Sequence, residues 1–423
     1  MTSPRRALRV TAVTASAQFG GTERVLLDFA ARAFEHDLAL RVLTPRDGPL
    51  IPVLNEIGVP AAVVPAPGAL LRGSQQLGHL GSIPKALAGL PRWGRALAAH
   101  PYWRDADVLY TIAFKAHAAA ALRRRHPVVW HLHEFPPATI GRLWKVAAQF
   151  VPDALIANSH ATGRAWFSHV RPPVRQSAGP PALSAKRPGA TSPLVVVPNG
   201  VDVDRFVPRQ PTGWIHQALR IPREHRLIGM PAVLARWKGQ LEAIEAFTAV
   251  ARQFPGVHLV LVGGSIYDTV AESAFGSELD RRIAALTDAR GQVHLLGFQA
   301  KVERVYPEFD LVIHYSLRPE AFGRVIVESL ACGVPVIAAA EGGPVEILTG
   351  PPKSGRAGWL VPPRHPAALA DTLRQALALP AAQLKDMGRE GRQLVEDRYA
   401  ARRFAREVAG VLRSAALGIP PSG

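Results

Sequence analysis

The chain has 423 residues, 48% hydrophobic and 20% charged, with one cysteine and a formal net charge of +17. That balance describes a globular protein with room for two domains; a lone cysteine excludes an internal disulfide, and no Cys/His cluster suggests zinc. The charge is uneven, with 23 Lys and Arg against 10 Asp and Glu in residues 1–200 but 27 against 23 in residues 201–423, which suits the first half to phospholipid headgroups, an acidic glycan or nucleic acid unless an arginine-rich genome accounts for it.

Arg5-Arg6 before Leu8 to Ala17 has the outline of a secretory leader, and Ala15-Ser16-Ala17 resembles a cleavage site. Arg9 and several threonines break the apolar run, so Leu8 to Ser16 reads better as a buried first strand. No apolar run reaches the roughly 18 residues of a membrane span. Gln18-Phe19-Gly20-Gly21-Thr22-Glu23 then opens a helix expected from Glu23 to about Phe34. Paired glycines let backbone approach a ligand at a helix start, or simply make a tight turn. Their spacing is not the Gly-x-Gly-x-x-Gly dinucleotide fingerprint.

Further strands are expected over Leu38–Leu43, Ala61–Val64, Val108–Ala113 and Val128–Leu132, with a loop and helix over Leu70–Ala99. The last of these strands runs into His131-Leu132-His133-Glu134, and alternation places both histidines on one face. Either is a proton donor, a hydrogen-bond donor or a filler, and no third residue nearby completes a metal set. Arg92, Arg95, Arg123, Arg124, Arg125, Arg142 and Lys145, with Trp93 and Trp144 as interfacial anchors, are candidates for contact with an anionic membrane; the alternative is scattered surface arginines. A strand over Asp153–Asn158 leads to a helix that Ser159 caps. Arg171 to Pro193 reads as a mobile basic loop rich in Pro, Ala and Ser. Asp202-Val203-Asp204 has the Asp-x-Asp spacing of metal-dependent transferases, but it follows a Pro-Asn-Gly turn and is read as hinge, not metal site.

From Leu227 the chain alternates regularly. Strand Leu227–Leu234 leads to Ala235-Arg236-Trp237-Lys238-Gly239-Gln240 and a helix from Gln240 to Phe254. Strand Val257–Val262, a helix over Glu278–Ala289, strand Val293–Leu296 and a Gly297-Phe298 turn follow. This pattern predicts a Rossmann-like domain. Lys238, a compact cation before Gly at a βα turn, is the best phosphate ligand, unless it is an ordinary surface lysine. Trp359–Val361 is a short strand, and the tail from Pro366 is helical.

The most informative stretch lies between. Strand Leu311–His314 leads to a loop with Pro319-Glu320-Ala321-Phe322-Gly323, a helix to Ala331, a stop at Gly333 and a strand from Val334 to Ala338. This is a βαβ unit, whose loop lies where open α/β sheets bind ligands. Glu320 and Glu328 flank seven residues. The N–H groups of Ala321, Phe322 and Gly323 point out of a helix N-terminus suited to phosphate, and a carboxylate beside it accepts from sugar hydroxyls. The alternative is a dipole-favoured acid and an exposed helical Glu.

The string Pro319 to Glu328, with Gly342-Gly343-Pro344-Val345-Glu346 downstream, resembles the Glu-x7-Glu signature of the retaining glycosyltransferases of family 4. The commoner form is Pro-Glu-Pro-Phe-Gly, so Ala321 replaces a proline. The resemblance implies an α/β GT-B fold, two Rossmann-like domains facing each other across a cleft: residues 1–203 for the acceptor, 204–400 for the nucleotide sugar, and 401–423 as a helix crossing back. It implies sugar transfer from a nucleoside-diphosphate sugar with retention, without a metal or other cofactor, in the cytoplasm or at the inner face of the cell membrane. Glu320 would orient the sugar, Glu328 bind ribose, Lys238 and Arg236 the diphosphate, Gly297 and Phe298 the base, Gly20 and Gly21 the diphosphate from the other domain, and His133 the transferred sugar, with His131 structural. The family pairs its Lys with an Arg where Val233 stands here. Two rivals remain at this level: another nucleotide-sugar reaction or glycoside hydrolysis on the same fold, and a basic nucleic-acid-binding protein, for which charge speaks but no binding motif does.

Overall fold

The computed structural model describes residues 6–68, 70, 83–121, 126–137, 141–167, 191–264, 270–349 and 357–418. The chain forms two compact units, one of residues 1–200 with 401–423 and one of residues 201–400. Arg123, Arg124, Arg125 and most of the basic segment 171–193 lie outside the described residues.

In unit one, β1 (Leu8–Val13), β2 (Leu38–Thr44), β3 (Ala61–Val63), β4 (Val108–Ile112), β5 (Val128–Leu132), β6 (Ala154–Ala157) and β7 (Leu194–Val196) form a parallel sheet in the order β3-β2-β1-β4-β5-β6-β7. The central strands are apolar runs rather than alternating ones, because helices cover both faces. One face packs against helix Gly21–Ala30 and the Ala401–Leu417 helix through Phe29, Phe404, Val408 and Leu412; the Phe29 and Phe404 rings meet edge-on at 6.4 Å. The other face carries Trp93, Trp103, Trp130 and Trp166, all essentially buried. The expected helix from Glu23 to Phe34 is cut at Ala30, and a 3-10 turn, Ala33–His36, follows, ending at a left-handed Asp37. Ser159 caps its helix as expected, accepting from the Thr162 N–H at 3.0 Å.

The two tryptophans expected to anchor at a membrane do not do so. Trp93 is 1% exposed and donates its indole N–H to the Val64 carbonyl at 2.9 Å. Trp144 is half-buried against Phe114 and Trp130, with ring centroids 5.5 and 5.9 Å apart. Local sequence shows that an indole is amphipathic, not which way it points.

In unit two, β8 (Arg226–Pro231), β9 (Val257–Val262), β10 (Val293–Gly297), β11 (Leu311–His314), β12 (Val336–Ala339) and β13 (Gly358–Val361) form a parallel sheet ordered β10-β9-β8-β11-β12-β13. The helix expected over Glu278–Ala289 instead runs Val270–Ala284, because Phe275 and Leu279, one turn apart, bury together in the core. Beyond Pro366 the tail is the helices Pro366–Ala378, Ala381–Arg398 and Ala401–Leu417. Strand order reverses between β8 and β11, so their carboxyl ends form the topological switch point where doubly wound sheets bind ligands. Lys238 follows β8 and Glu320 follows β11.

Candidate active site

The two loops at the switch point are built against each other. After β8 a 3-10 turn, Arg236–Lys238, ends at Gly239 with φ +74°. A Cβ there would sit 2.1 Å from the Tyr315 carbonyl oxygen, so only glycine allows the approach. The Leu317 N–H donates to the Trp237 carbonyl at 2.7 Å. This brings the Lys238 ammonium 2.7 Å from Glu320 Oε2, across 82 residues of sequence, and 3.9 Å from the Trp237 ring centroid. The same oxygen accepts from Ser316 Oγ at 2.8 Å and lies 3.5 Å from His314 Nε2. Burial pushes the Glu320 pKa up, but Lys238 and His314 outweigh it and hold the carboxyl well below the usual range. Glu320 therefore stays ionised.

Its backbone is fixed from the opposite side. Gly343 N–H donates to the Glu320 carbonyl at 2.8 Å, and Glu320 bridges Gly342 in parallel fashion. The following helix is Arg324–Ala331, with Gly323 as N-cap at φ 100° and a stop at Gly333, φ 74°. Phe322 is 4% exposed with its ring in the core, so only its backbone is offered to a ligand, as with Ala321 and Gly323.

Glu328 is not an exposed helical acid: it is 5% exposed. Its Oε2 accepts from Tyr306 Oη at 2.8 Å and its Oε1 from Arg324 Nε at 3.1 Å. A carboxylate has about four acceptor positions, so Tyr306 and Arg324 leave room for further donors.

The remaining expected residues are placed less uniformly. Arg236 is 67% exposed at its side chain, pairs with Glu278 and lies over the Phe275 ring, so it does not join Lys238 and Glu320. The Val233 carbonyl accepts from Gln240 Nε2 at 2.8 Å. Gly297 takes φ +77°, its carbonyl accepts from the Gly263 N–H at 3.0 Å, and Phe298 is 56% exposed. In unit one, Gly20 caps helix Gly21–Ala30 at φ −85°, and a Cβ on Gly21 would meet nothing within 4 Å. Neither glycine is demanded by backbone conformation. Two residues on, Glu23 is buried beside Thr14 Oγ1, and burial pushes its carboxyl up to about 7. The His131 and His133 rings do share one face, 3.9 Å apart. His131 is fully buried, 2.5 Å from the Tyr110 hydroxyl; His133 is 9% exposed. Asp202 Oδ1 accepts from the N–H groups of Asp204 and Arg205 at 3.0 and 3.2 Å, a turn rather than an open ligand pair. Among the described residues no group of three or more His, Cys, Asp or Glu is arranged to hold a metal.

Sequence reasoning missed Tyr306, Ser316, His314 and Arg324 as partners of the two carboxylates. Arg324, one helical turn before Glu328, was legible; Tyr306, contributed by a separate segment, carried no signal.

Residues 214–394 match the family described as Glycosyl transferases group 1. The chain is 33% identical over 193 residues to a D-inositol 3-phosphate glycosyltransferase of Corynebacterium jeikeium, covering 43% of each. It is 31% identical over 193 residues to a phosphatidyl-myo-inositol mannosyltransferase of Mycobacterium tuberculosis, covering 43% of this chain and 44% of that one. These matches span less than half the length of the curated relatives. Among solved structures, Anabaena Alr3699/HepE in complex with UDP and glucose superposes with a TM-score of 0.74 at 24% identity, covering 96% of this chain and 100% of that one. Sucrose-phosphate synthase from Thermosynechococcus elongatus gives 0.71 at 18%, over 96% and 98%. The fold is therefore the expected GT-B fold, and the string Pro319 to Glu328 lies within the residues that match the glycosyl transferases group 1.

Proposed function

We propose that this protein is a glycosyltransferase, a reading supported by the match of residues 214–394 to the glycosyl transferases group 1 and by the GT-B fold. It moves a sugar from a nucleoside-diphosphate sugar to a glycan, lipid-linked or small hydroxyl acceptor, with retention at the anomeric carbon. The observation that carries the reading is the Lys238–Glu320–Ser316 cluster at the switch point of unit two. An ammonium has three donors and Glu320 takes one, so Lys238 can also neutralise the growing charge on a departing diphosphate. Glu320, ionised and rigidly held, accepts from the hydroxyls of the transferred sugar. Glu328 binds ribose, and the backbone at Gly297 and Phe298 meets the base. The backbone of Ala321, Phe322 and Gly323 adds donors for the phosphates, with Arg236 a lesser contributor. In unit one, His133 is the candidate for sugar contact, and Gly20 and Gly21 are the candidates for phosphate contact. That the Anabaena structure holds UDP and glucose supports a diphosphate donor.

A thermal-shift screen against UDP, GDP, ADP and their sugars tests the reading, followed by product analysis with and without acceptor. Stabilisation by one nucleoside diphosphate and transfer of its sugar are expected; no response to any would overturn the assignment. Transfer should persist in excess chelator, because the Asp202 carboxylate is engaged in a turn. Loss on chelation that Mg or Mn restores would refute metal independence.

Val233→Arg is expected to tighten diphosphate binding. The residue is half-buried beside Lys238's loop, and each charge-assisted bond to phosphate contributes about 1.5–3 kcal/mol. Isothermal titration with the nucleoside diphosphate reads the change, and weaker binding would show that position 233 does not face the phosphates.

A further inference from the structure

We propose that His131 is a positioning residue for sugar transfer: held by Tyr110, its ring fixes the plane of the His133 ring. The inference rests on the transferase reading, which makes His133 the candidate for sugar contact.

Position 131 belongs to the core in everything but its chemistry. β5 is buried along its whole length, and His131 is fully buried on the sheet face where Phe29 and Phe404 pack. The Phe404 ring centroid lies 6.0 Å from that of His131. A leucine or phenylalanine would fill such a site without taking two ring nitrogens out of water. One of the two is compensated: Nδ1 lies 2.5 Å from Tyr110 Oη. The other, Nε2, is buried with no hydrogen-bond partner among the described residues. Buried polar atoms are rarely left so, and packing alone does not account for this one.

The hydrogen bond selects a tautomer. Burial pushes the Tyr110 hydroxyl up and the His131 ring well below its usual value, so the phenol keeps its proton and the imidazole is neutral. A neutral imidazole has one donor and one acceptor nitrogen. With Nδ1 accepting from Tyr110, the ring proton sits on Nε2; the opposite arrangement would also leave the phenol proton without an acceptor among the described residues. The bond fixes the ring plane too, because turning the ring about its Cβ–Cγ bond would carry Nδ1 off the hydroxyl. His131 thus presents one fixed face, and the His133 ring lies against it, with centroids 3.9 Å apart and planes inclined at 38°. Tyr110 stands on the neighbouring strand β4 and meets the Phe29 ring edge-on at 5.6 Å. His133, 9% exposed, lies just past the carboxyl end of β5. Phe29, Tyr110, His131 and His133 therefore form a column that starts in the core and ends at the side chain meant for the sugar.

The test pairs kinetics with spectroscopy on the full chain. Tyr110→Phe with His131→Leu removes both partners of the buried bond together, a change close to neutral for stability. It is expected to lower kcat by about 10- to 100-fold, as displacement of a group at a reacting centre does. The melting temperature and the affinity for the free nucleoside diphosphate, which lacks the sugar, should both be kept. Tyr110→Phe with His131→Phe restores an aromatic face and should recover part of the lost turnover. Long-range proton–nitrogen correlation spectra of the histidine rings, assigned with His131→Leu and His133→Gln, should show His131 as a single Nε2–H tautomer. Tyr110→Phe should mix its tautomers and broaden the His133 signals. Parental kcat in the leucine variant, equal kcat in the leucine and phenylalanine variants, or His133 signals indifferent to Tyr110→Phe would overturn the proposal. So would a leucine variant that melts lower or loses the diphosphate in step with its turnover, which would make the pair structural only. Absence of any transfer by the parent chain would instead sink the transferase reading, and the spectra would still decide between a locked and a free His133 ring.

Discussion

Glu320→Gln is expected to lower transfer turnover by about 100-fold or more and to destabilise the protein as well. The amide keeps the shape of the side chain but leaves the Lys238 ammonium, 12% exposed at its side chain, without its counter-charge. Breaking a largely buried pair by removing one partner costs about 3 kcal/mol, or roughly 6–12 °C in melting temperature for a unit of this size. Glu320→Gln with Lys238→Met should recover much of that stability, since neither charge then remains, but none of the turnover. Recovery of both together would show that the pair is structural only. The pH dependence has a defined sign. Glu320 is depressed in the folded state, so its contribution is complete above the ordinary carboxylate range and is lost as pH falls toward the folded value. In the variant, that part of the acid limb of stability should be missing, which melts in acid and neutral buffers would record.

Gly343→Ala is expected to have an effect of similar size with a different cause. A Cβ on Gly343 would lie 2.4 Å from the Phe322 carbonyl oxygen, 2.5 Å from Phe322 Cα and 2.8 Å from the Ala321 carbonyl oxygen. All three are backbone atoms, so relief requires moving the Glu320 loop itself. Overpacking of this kind costs about 1–3 kcal/mol, and a displacement of about 1 Å at a reacting centre costs on the order of 100-fold in rate. Melting curves and turnover measured together check the point. Parental activity in a fully folded Gly343→Ala protein would mean that the loop tolerates displacement and that Glu320 needs no exact placement.

The stretch around Glu320 was legible because its signals are local and agree with one another. Leu311–His314 is an apolar run of strand length, Gly323 and Gly333 sit at the two positions of positive φ that bound the helix, and the acidic spacing is written in one segment. The βα alternation of unit two made its parallel sheet readable for the same reason. What could not be read was pairing across the chain. Lys238 and Glu320 stood in the sequence as ligands for two parts of a donor, and the structure joins them to each other. For Glu328 an exposed helical acid stood as the alternative, because helical periodicity does not reveal that Tyr306 lies above it. Arg236 looked like a spare phosphate ligand because Glu278, far along the chain, was invisible as its partner. Side-chain direction was not legible either: Trp93, read as an interfacial anchor, went inward.

The helix Ala401–Leu417 packs on the sheet of unit one, although every residue of unit two precedes it in the chain. All of unit two is therefore synthesised before the helix that covers Phe29, Tyr110 and Ile156 of unit one. The part that begins first is completed last, and until then an apolar sheet face waits uncovered on the nascent chain. A chain truncated after residue 400 should hold a protease-resistant unit two and a protease-sensitive unit one. Chaperone demand in the cell should follow the delay between the two events rather than the stability of either finished unit.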